Sequence, residues 1–302
     1  MTAPATPPAA DPNDLVVDRR AEERTVPGLL DTLRADPATR ALVVHGDAAP
    51  LTPHGRLELL AVDAVPVDAE WAFLGRASDG SAVLLAAFDA AAGAPVSVSW
   101  GSLRTIAGSL PAGEASLLVT AVSLARWLID SPFCPACGAR TEERDAGWSR
   151  KCPACGRQHF PRTDPAVIVA VTRADDPELL LLGSNALWDD NRYSCFAGFA
   201  EAGESLEEAV AREVGEEAGV VVADVVYRGS QGWPYPRSLM LGFRATATVP
   251  SDAHADGEEI LDVRWFTRAE IAAGLAGESE LRLPGPASIA HRLILEWLAE
   301  AR

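Results

Sequence analysis

Short apolar runs separated by turn residues fill the first part of the chain, and the runs at 41–44 and 82–85 are expected as strands. From residue 114 to 129 the period changes. Leu117, Leu118, Ala121, Leu124, Ala125 and Leu128 recur at helical spacing and predict a core helix. A second alternation follows, with strands expected over 166–171, 178–183, 195–199, 220–228 and 238–248. A closing helix over 287–299 would turn Ile289, Leu293, Ile294 and Leu298 inward. Strands and helices interleaved in this way point to an α/β protein built on a mixed sheet.

A chain of 302 residues exceeds what one core usually serves. Four parts are expected: a Pro/Ala/Asp-rich disordered tail over 1–14, an N-terminal α+β domain over 15–130, a small metal module over 131–160 and an α/β domain over 161–302. No uninterrupted apolar run approaches the ~18 residues of a membrane span, so no membrane association is expected. The N-terminus has neither the basic start nor the apolar core of a signal peptide, which predicts a cytoplasmic protein with reduced thiols. With 26 Lys+Arg against 43 Asp+Glu, the net charge of -17 argues against general affinity for polyanions.

Charge becomes informative between Gly198 and Val220, where the chain reads G-x5-E-x7-R-E-V-x-E-E-x-G-V. Ser205 and Glu208 form a capping box that starts a helix, and Gly219 suits the left-handed residue that ends one. At about 100° per residue, Leu206, Val210, Glu213 and Glu217 fall within roughly 60° of one another, with Glu216 on the flank. The apolar stripe therefore turns acidic towards its C-terminal end. Buried like charges repel and lose hydration unless something positive compensates them, and magnesium, which bridges carboxylates to substrate phosphates, does this well. Arg212 can instead pair with Glu204 and tie the preceding loop to the helix. A solvated acidic helix would share the composition but not the coincidence of glycines, arginine and spacing.

Cys134-x2-Cys137 and Cys152-x2-Cys155, each written C-P-A-C-G, are separated by fourteen residues. Two such knuckles close a tetrahedral, structural Zn2+ site with no open position for water. Cys195 has no evident partner and is expected as a packed core thiol. Arg140, Arg144, Arg150, Lys151, Arg157 and Arg162 lie in or beside the knuckles; most are expected as solvated hairpin charges, with a local basic patch as the competing reading. His45, His54, His159, His254 and His291 show no ligand spacing.

Residues 230–238 read S-Q-G-W-P-Y-P-R-S. Prolines alternating with aromatics stiffen the backbone in an extended form, so Trp233 and Tyr235 are expected on a rigid loop. Rigid rings suit flat heterocycles, since stacking adds about 0.5–1.5 kcal/mol beyond area burial.

The stretch from Gly198 to Val220 resembles the Nudix box at every fixed position, and 230–238 resembles the S-Q-P-W-P-F-P-x-S array of NADH pyrophosphatases of the NudC type, with Gly232 and Tyr235 as departures. His159–Ile168, Glu259–Phe266 and Ser288–Ala290 are similar to further family segments, and the match is strong from 131 to 302. The resemblance implies a C-terminal Nudix α/β/α sandwich, a small zinc ribbon and metal-dependent hydrolysis of NADH or NAD+ to nicotinamide mononucleotide and AMP, with RNA 5′ NAD caps as a related substrate. It implies Ala197 (through its carbonyl), Glu213, Glu217 and Glu259 as ligands of Mg2+ or Mn2+, Glu216 as a further ligand or a helper in water activation, Glu204 and Arg212 as further members of the catalytic site, and Glu213 or Glu216 as general base. Phe160, Gln231, Gly232, Trp233, Pro234, Tyr235, Pro236, Arg237, Ser238 and Ala290 are implied as substrate contacts, and a homodimer as the assembly. The competing readings are a zinc-ribbon nucleotide sensor without hydrolysis, and a less specific hydrolase of ADP-ribose or dinucleoside polyphosphates.

Overall fold

The computed structural model describes residues 14–249 and 253–300 and divides into two compact units, Met1–Arg162 and Thr163–Arg302. All of the expected disordered tail except Asp14 lies outside the described residues. Asp14 itself is fixed: its carboxylate accepts the amides of Gly113 and Glu114 at 2.7 and 3.1 Å and so caps the helix Ala112–Asp130.

Within the first unit, strands run in the order Val17–Asp18, Glu70–Ala77, Ala82–Phe88, Arg40–His45, Ala48–Leu51, Ser99–Ser102, with Leu60–Ala61 also paired to Arg40–His45. Arg40–His45 and Ala82–Phe88 are parallel, and the latter is buried at every residue, as a strand covered on both faces should be. The helix Ala112–Asp130 packs on Ala82–Phe88 and Glu70–Ala77 through Leu117, Leu118, Ala121, Leu124, Ala125 and Leu128. By length and composition this helix could cross a bilayer, although Glu114 and Arg126 interrupt its apolar run; half of it is buried, as befits a core helix. The metal module follows as a small sheet of Glu142–Arg144, Ser149–Lys151 and Gln158–His159.

In the second unit the sheet order is Val222–Trp233, Ser238–Ala247, Asp164–Arg173, Leu179–Asn185, Ile260–Thr267, with Phe196–Phe199 also paired to Asp164–Arg173. Asp164–Arg173 is parallel to Ser238–Ala247 and antiparallel to its other neighbours. Its alternate residues serve two cores. Val167, Val169 and Val171 join Phe196, Val210 and Val214 under the helix Leu206–Ala218, while Ile168 and Ala170 join Leu182, Leu293 and Trp297 under the helix Ile289–Ala299. The result is an α/β/α sandwich.

One expectation needs correction. The strand Val222–Trp233 runs into the aromatic array, pairing Gln231, Gly232 and Trp233 with Met240, Leu239 and Ser238; only residues 234–237 form the turn. The array is thus a hairpin tip and not an independent extended loop, because prolines lacking N–H are accommodated where the ladder needs no donor. The strand Ile260–Thr267 and the helix Arg268–Ala276 went unanticipated. That helix buries only Ile271 and has almost no apolar period, although Thr267 and Glu270 form the capping box that could have revealed it.

Candidate metal and nucleotide site

Each cysteine knuckle is closed by backbone bonds: the Cys134 and Cys152 amides donate to the carbonyls of Ala139 and Arg157, both at 2.8 Å. Gly138 and Gly156 take the left-handed conformation that these turns require, at φ 73° and 74°. The four sulfurs lie within 4.8 Å of one another. Amides of the second knuckle, that of Cys155 foremost, pull the Cys152 thiol down to about 7, which favours the ligating thiolate. This is a four-cysteine zinc-ribbon site. Cys195 is buried and free, its thiol pushed up to about 12 by burial, as a packed core residue should be.

The box helix starts on the Ser205–Glu208 capping box and ends at Gly219 with φ 65°. Arg212 is its hub. The guanidinium donates to both Glu204 oxygens at 2.8 and 3.0 Å, to Glu213 at 2.9 Å, to Glu216 at 3.0 Å and to the Phe199 carbonyl at 2.9 Å. Arg212, followed by the Glu201 amide, holds the Glu204 carboxyl down at about 2. A Cβ on Gly198 would stand 2.0 Å from the Glu213 carboxylate carbon, so only glycine leaves that carboxylate its place on the strand Phe196–Phe199.

Glu217 is buried, and its carboxyl is pushed up to about 8, first by desolvation, then by Glu259, Glu213 and Asp256; the Ala197 amide partly offsets this. Burial also raises Glu213. The fold therefore brings Ala197, Glu213, Glu217 and Glu259 together, with Glu216 beside them on the exposed flank. Among the described residues no lysine or arginine is paired with Glu217.

At the hairpin tip, the Trp233 and Tyr235 rings lie 5.2 Å apart at 59°, Pro234 and Ser238 are buried, and Pro236 is exposed. Gln231 binds backbone here. Its Nε2 donates to the Ala287 carbonyl at 2.7 Å and its Oε1 accepts the Ile289 amide at 2.6 Å, which ties the hairpin to the helix start containing Ala290. Arg237 is paired with Asp164 at 2.7 Å. Phe160 is half exposed and belongs to the first unit.

The cationic cluster around the ribbon divides. Arg150 is buried against Glu70, Glu143 and the Leu128 carbonyl, which corrects its reading as a hairpin charge, while Arg140 and Arg144 pair with Glu70 and Glu142. Lys151, Arg157 and Arg162 are exposed.

Three residues near the carboxylates had no sequence signal. His254 packs on Gly219, Asp256 accepts the amides around Glu259, and Asn185 faces the Glu259 carboxylate at 3.5 Å. Isolated polar side chains in a loop carry no period or spacing from which such contacts could be inferred.

Comparison with known proteins matches residues 162–285 to the NUDIX domain, 129–160 to the NADH pyrophosphatase zinc ribbon domain and 15–127 to the NADH pyrophosphatase-like rudimentary NUDIX domain. The chain is 39% identical over 276 residues to the NAD-capped RNA hydrolase NudC of Mycobacterium tuberculosis (strain H37Rv), covering 88% of this chain and 85% of that protein. It is 39% identical over 221 residues to the enzyme of the same name from Stutzerimonas stutzeri, covering 73% of this chain and 75% of that one. The human NAD-capped RNA hydrolase NUDT12 is 38% identical over 195 residues, 61% of this chain and 42% of its own length. With a rudimentary NUDIX-like domain, a four-cysteine zinc ribbon and a NUDIX domain in succession, the chain belongs to the NudC-type NADH pyrophosphatase family of NUDIX hydrolases.

Proposed function

We propose that the chain hydrolyses the pyrophosphate of NADH and NAD+ to the reduced or oxidised nicotinamide mononucleotide and AMP, and cleaves the same linkage in the NAD cap of an RNA. Glu217 carries this reading: a buried carboxylate lies within electrostatic reach of Glu213 and Glu259 and, among the described residues, is paired with no lysine or arginine. Hard oxygen donors that outnumber their cationic partners fit Mg2+ or Mn2+, and Glu213, Glu217, Glu259 and the Ala197 carbonyl would hold the ion. When bound, such an ion supplies charge neutralisation at the pyrophosphate and eases deprotonation of the attacking water.

The protein's own part is positioning. Arg212 fixes the loop at Glu204 and orients Glu213. Glu216 meets Arg212 through Oε2 alone and is 60% exposed, so its Oε1 can take a proton from water. Trp233 and Tyr235 offer ring faces to a base, backed by the Gln231 tie to the final helix. Lys151, Arg157 and Arg162 are the ribbon cations left to meet an RNA backbone. A homodimer belongs to the same reading, and sedimentation of the full chain tests it.

The deciding experiment incubates the purified protein with NADH, and separately with NAD-capped RNA, in the presence of Mg2+ or Mn2+ and separates the products, with a Glu213→Gln, Glu217→Gln double variant alongside. Release of nicotinamide mononucleotide by the parent alone is the expected result. Binding of both substrates without turnover would overturn hydrolysis in favour of a sensor.

A further inference from the structure

Glu259 is exposed and lies on a turn outside the box helix, so its approach to Glu217 depends on how that turn is held. A single oxygen does most of the holding. Asp256 Oδ1 accepts the amides of Glu258, Glu259 and Ile260 at 3.0, 3.2 and 2.9 Å. Gly257 turns the chain at φ 77° and donates its own amide to the Ile260 carbonyl at 3.0 Å. The two ends are tied to the rest of the unit: the His254 amide donates to the Ala218 carbonyl at the end of the box helix at 2.9 Å, and the Ala186 amide donates to the Glu259 carbonyl at 2.8 Å. Every backbone polar group of Glu259 is thus engaged, which leaves its side chain as the part that can face an ion.

We propose that Asp256 is a positioning residue for the divalent-metal site: its carboxylate preforms the turn that presents Glu259 beside Glu217, without itself ligating the ion. The inference rests on the metal-site reading above. Its chemistry makes a distinction that can be measured, because accepting amide hydrogens needs an oxygen in place but not a charge, whereas ligating a hard cation draws on the charge itself.

Asp256→Asn, Asp256→Ala and Glu259→Gln are therefore compared with the parent by titrating Mn2+ without substrate, following the free ion by electron paramagnetic resonance. Removing groups that orient metal ligands costs about 10–100-fold in affinity. Asp256→Ala is expected to weaken Mn2+ binding by about tenfold or more while Asp256→Asn stays within about threefold. At saturating Mn2+, kcat of the alanine variant should return close to that of the parent, and amide exchange should accelerate over residues 258–260 in the alanine variant alone. An asparagine variant as weak as the alanine one would overturn the proposal in favour of charge or direct ligation; an alanine variant that binds like the parent would also overturn it. If Glu259→Gln binds Mn2+ unchanged, the assignment of Glu259 to the metal site fails and the proposal falls with it. Failure at Asp256 alone leaves that assignment intact.

Discussion

Among the described residues each unit buries one glutamate on a helix, and the two are treated in opposite ways. Glu114, on the helix Ala112–Asp130, receives Arg56 at 2.6 and 2.7 Å and the Leu57 amide at 2.9 Å, so its charge is matched from within the chain. Glu217, on the box helix, lies in the field of Glu259, Glu213 and Asp256, and its carboxyl is pushed up to about 8 by burial and then by these carboxylates. A buried charge with a fixed partner is structural, whereas a buried charge surrounded by its own sign favours a cation brought from outside the chain. The same contrast distinguishes the rudimentary NUDIX-like domain from the NUDIX domain. In both, a parallel strand pair lies at the centre of the sheet, but only in the second does a helix stripe end in carboxylates.

Glu217→Gln should break the contrast most severely. It removes a carboxylate charge from the proposed metal site, and charge neutralisation worth several kcal/mol corresponds to about 10³-fold in kcat/KM. Metal-free stability should rise in the same variant, since the repulsion disappears. Steady-state kinetics with Mn2+ and thermal melts in chelator measure the two effects together.

The pH dependence of those melts follows from the direction of the shift. Because the folded-state value of Glu217 is raised, the unfolded chain releases its proton first as pH rises, so stability falls between the ordinary carboxylate range and about 8 and stays reduced above it. The loss is on the order of 5 kcal/mol. Glu143, also raised to about 8 by burial and by Glu70, acts in the same direction, so the difference between parent and Glu217→Gln isolates the box. Adding Mg2+ should flatten the Glu217 contribution.

Gly198→Ala tests the cradle. The new Cβ would collide with the Glu213 carboxylate at 2.0 Å and displace it from the proposed metal site, at a cost of about 10²-fold in kcat/KM with little change in melting temperature. On the other side of the comparison, Arg56→Ala leaves the Glu114 carboxylate buried with the Leu57 amide but without its cation. Breaking fully buried pairs costs about 3–5 kcal/mol; with Arg56 31% exposed, about 2 kcal/mol is expected, read from denaturant unfolding.

The sequence makes one half of this comparison legible and hides the other. The capping box, the glycines and the acidic end of the box helix are local spacings, so the helix Leu206–Ala218 and its hub Arg212–Glu204 could be read directly. The cysteine knuckles are legible for the same reason. Glu114 could not be understood in this way, because its partner Arg56 is 58 positions distant. The roles of Gln231 and Arg237 were equally hidden: whether a polar side chain faces substrate or backbone depends on which loop returns beside it, and here Ala287, Ile289 and Asp164 return.

Arg237 gives the smallest effect and the sharpest use of that lesson. As a phosphate contact it would be worth about tenfold or more in KM, since charge-assisted bonds to phosphate are among the stronger ones. Its Nε instead donates to Asp164 at 2.7 Å across the base of the hairpin, with both side chains substantially exposed, and exposed pairs contribute about 0–1 kcal/mol. Arg237→Ala should therefore change KM for NADH by less than about threefold and stability by under about 1 kcal/mol. Asp164→Ala should do the same, and the double variant should differ little from either single one, because both remove one shared interaction. A much larger rise in KM for Arg237→Ala than for Asp164→Ala would mean that the guanidinium leaves Asp164 when the dinucleotide arrives, and would move Arg237 from the hairpin's scaffolding into its binding face.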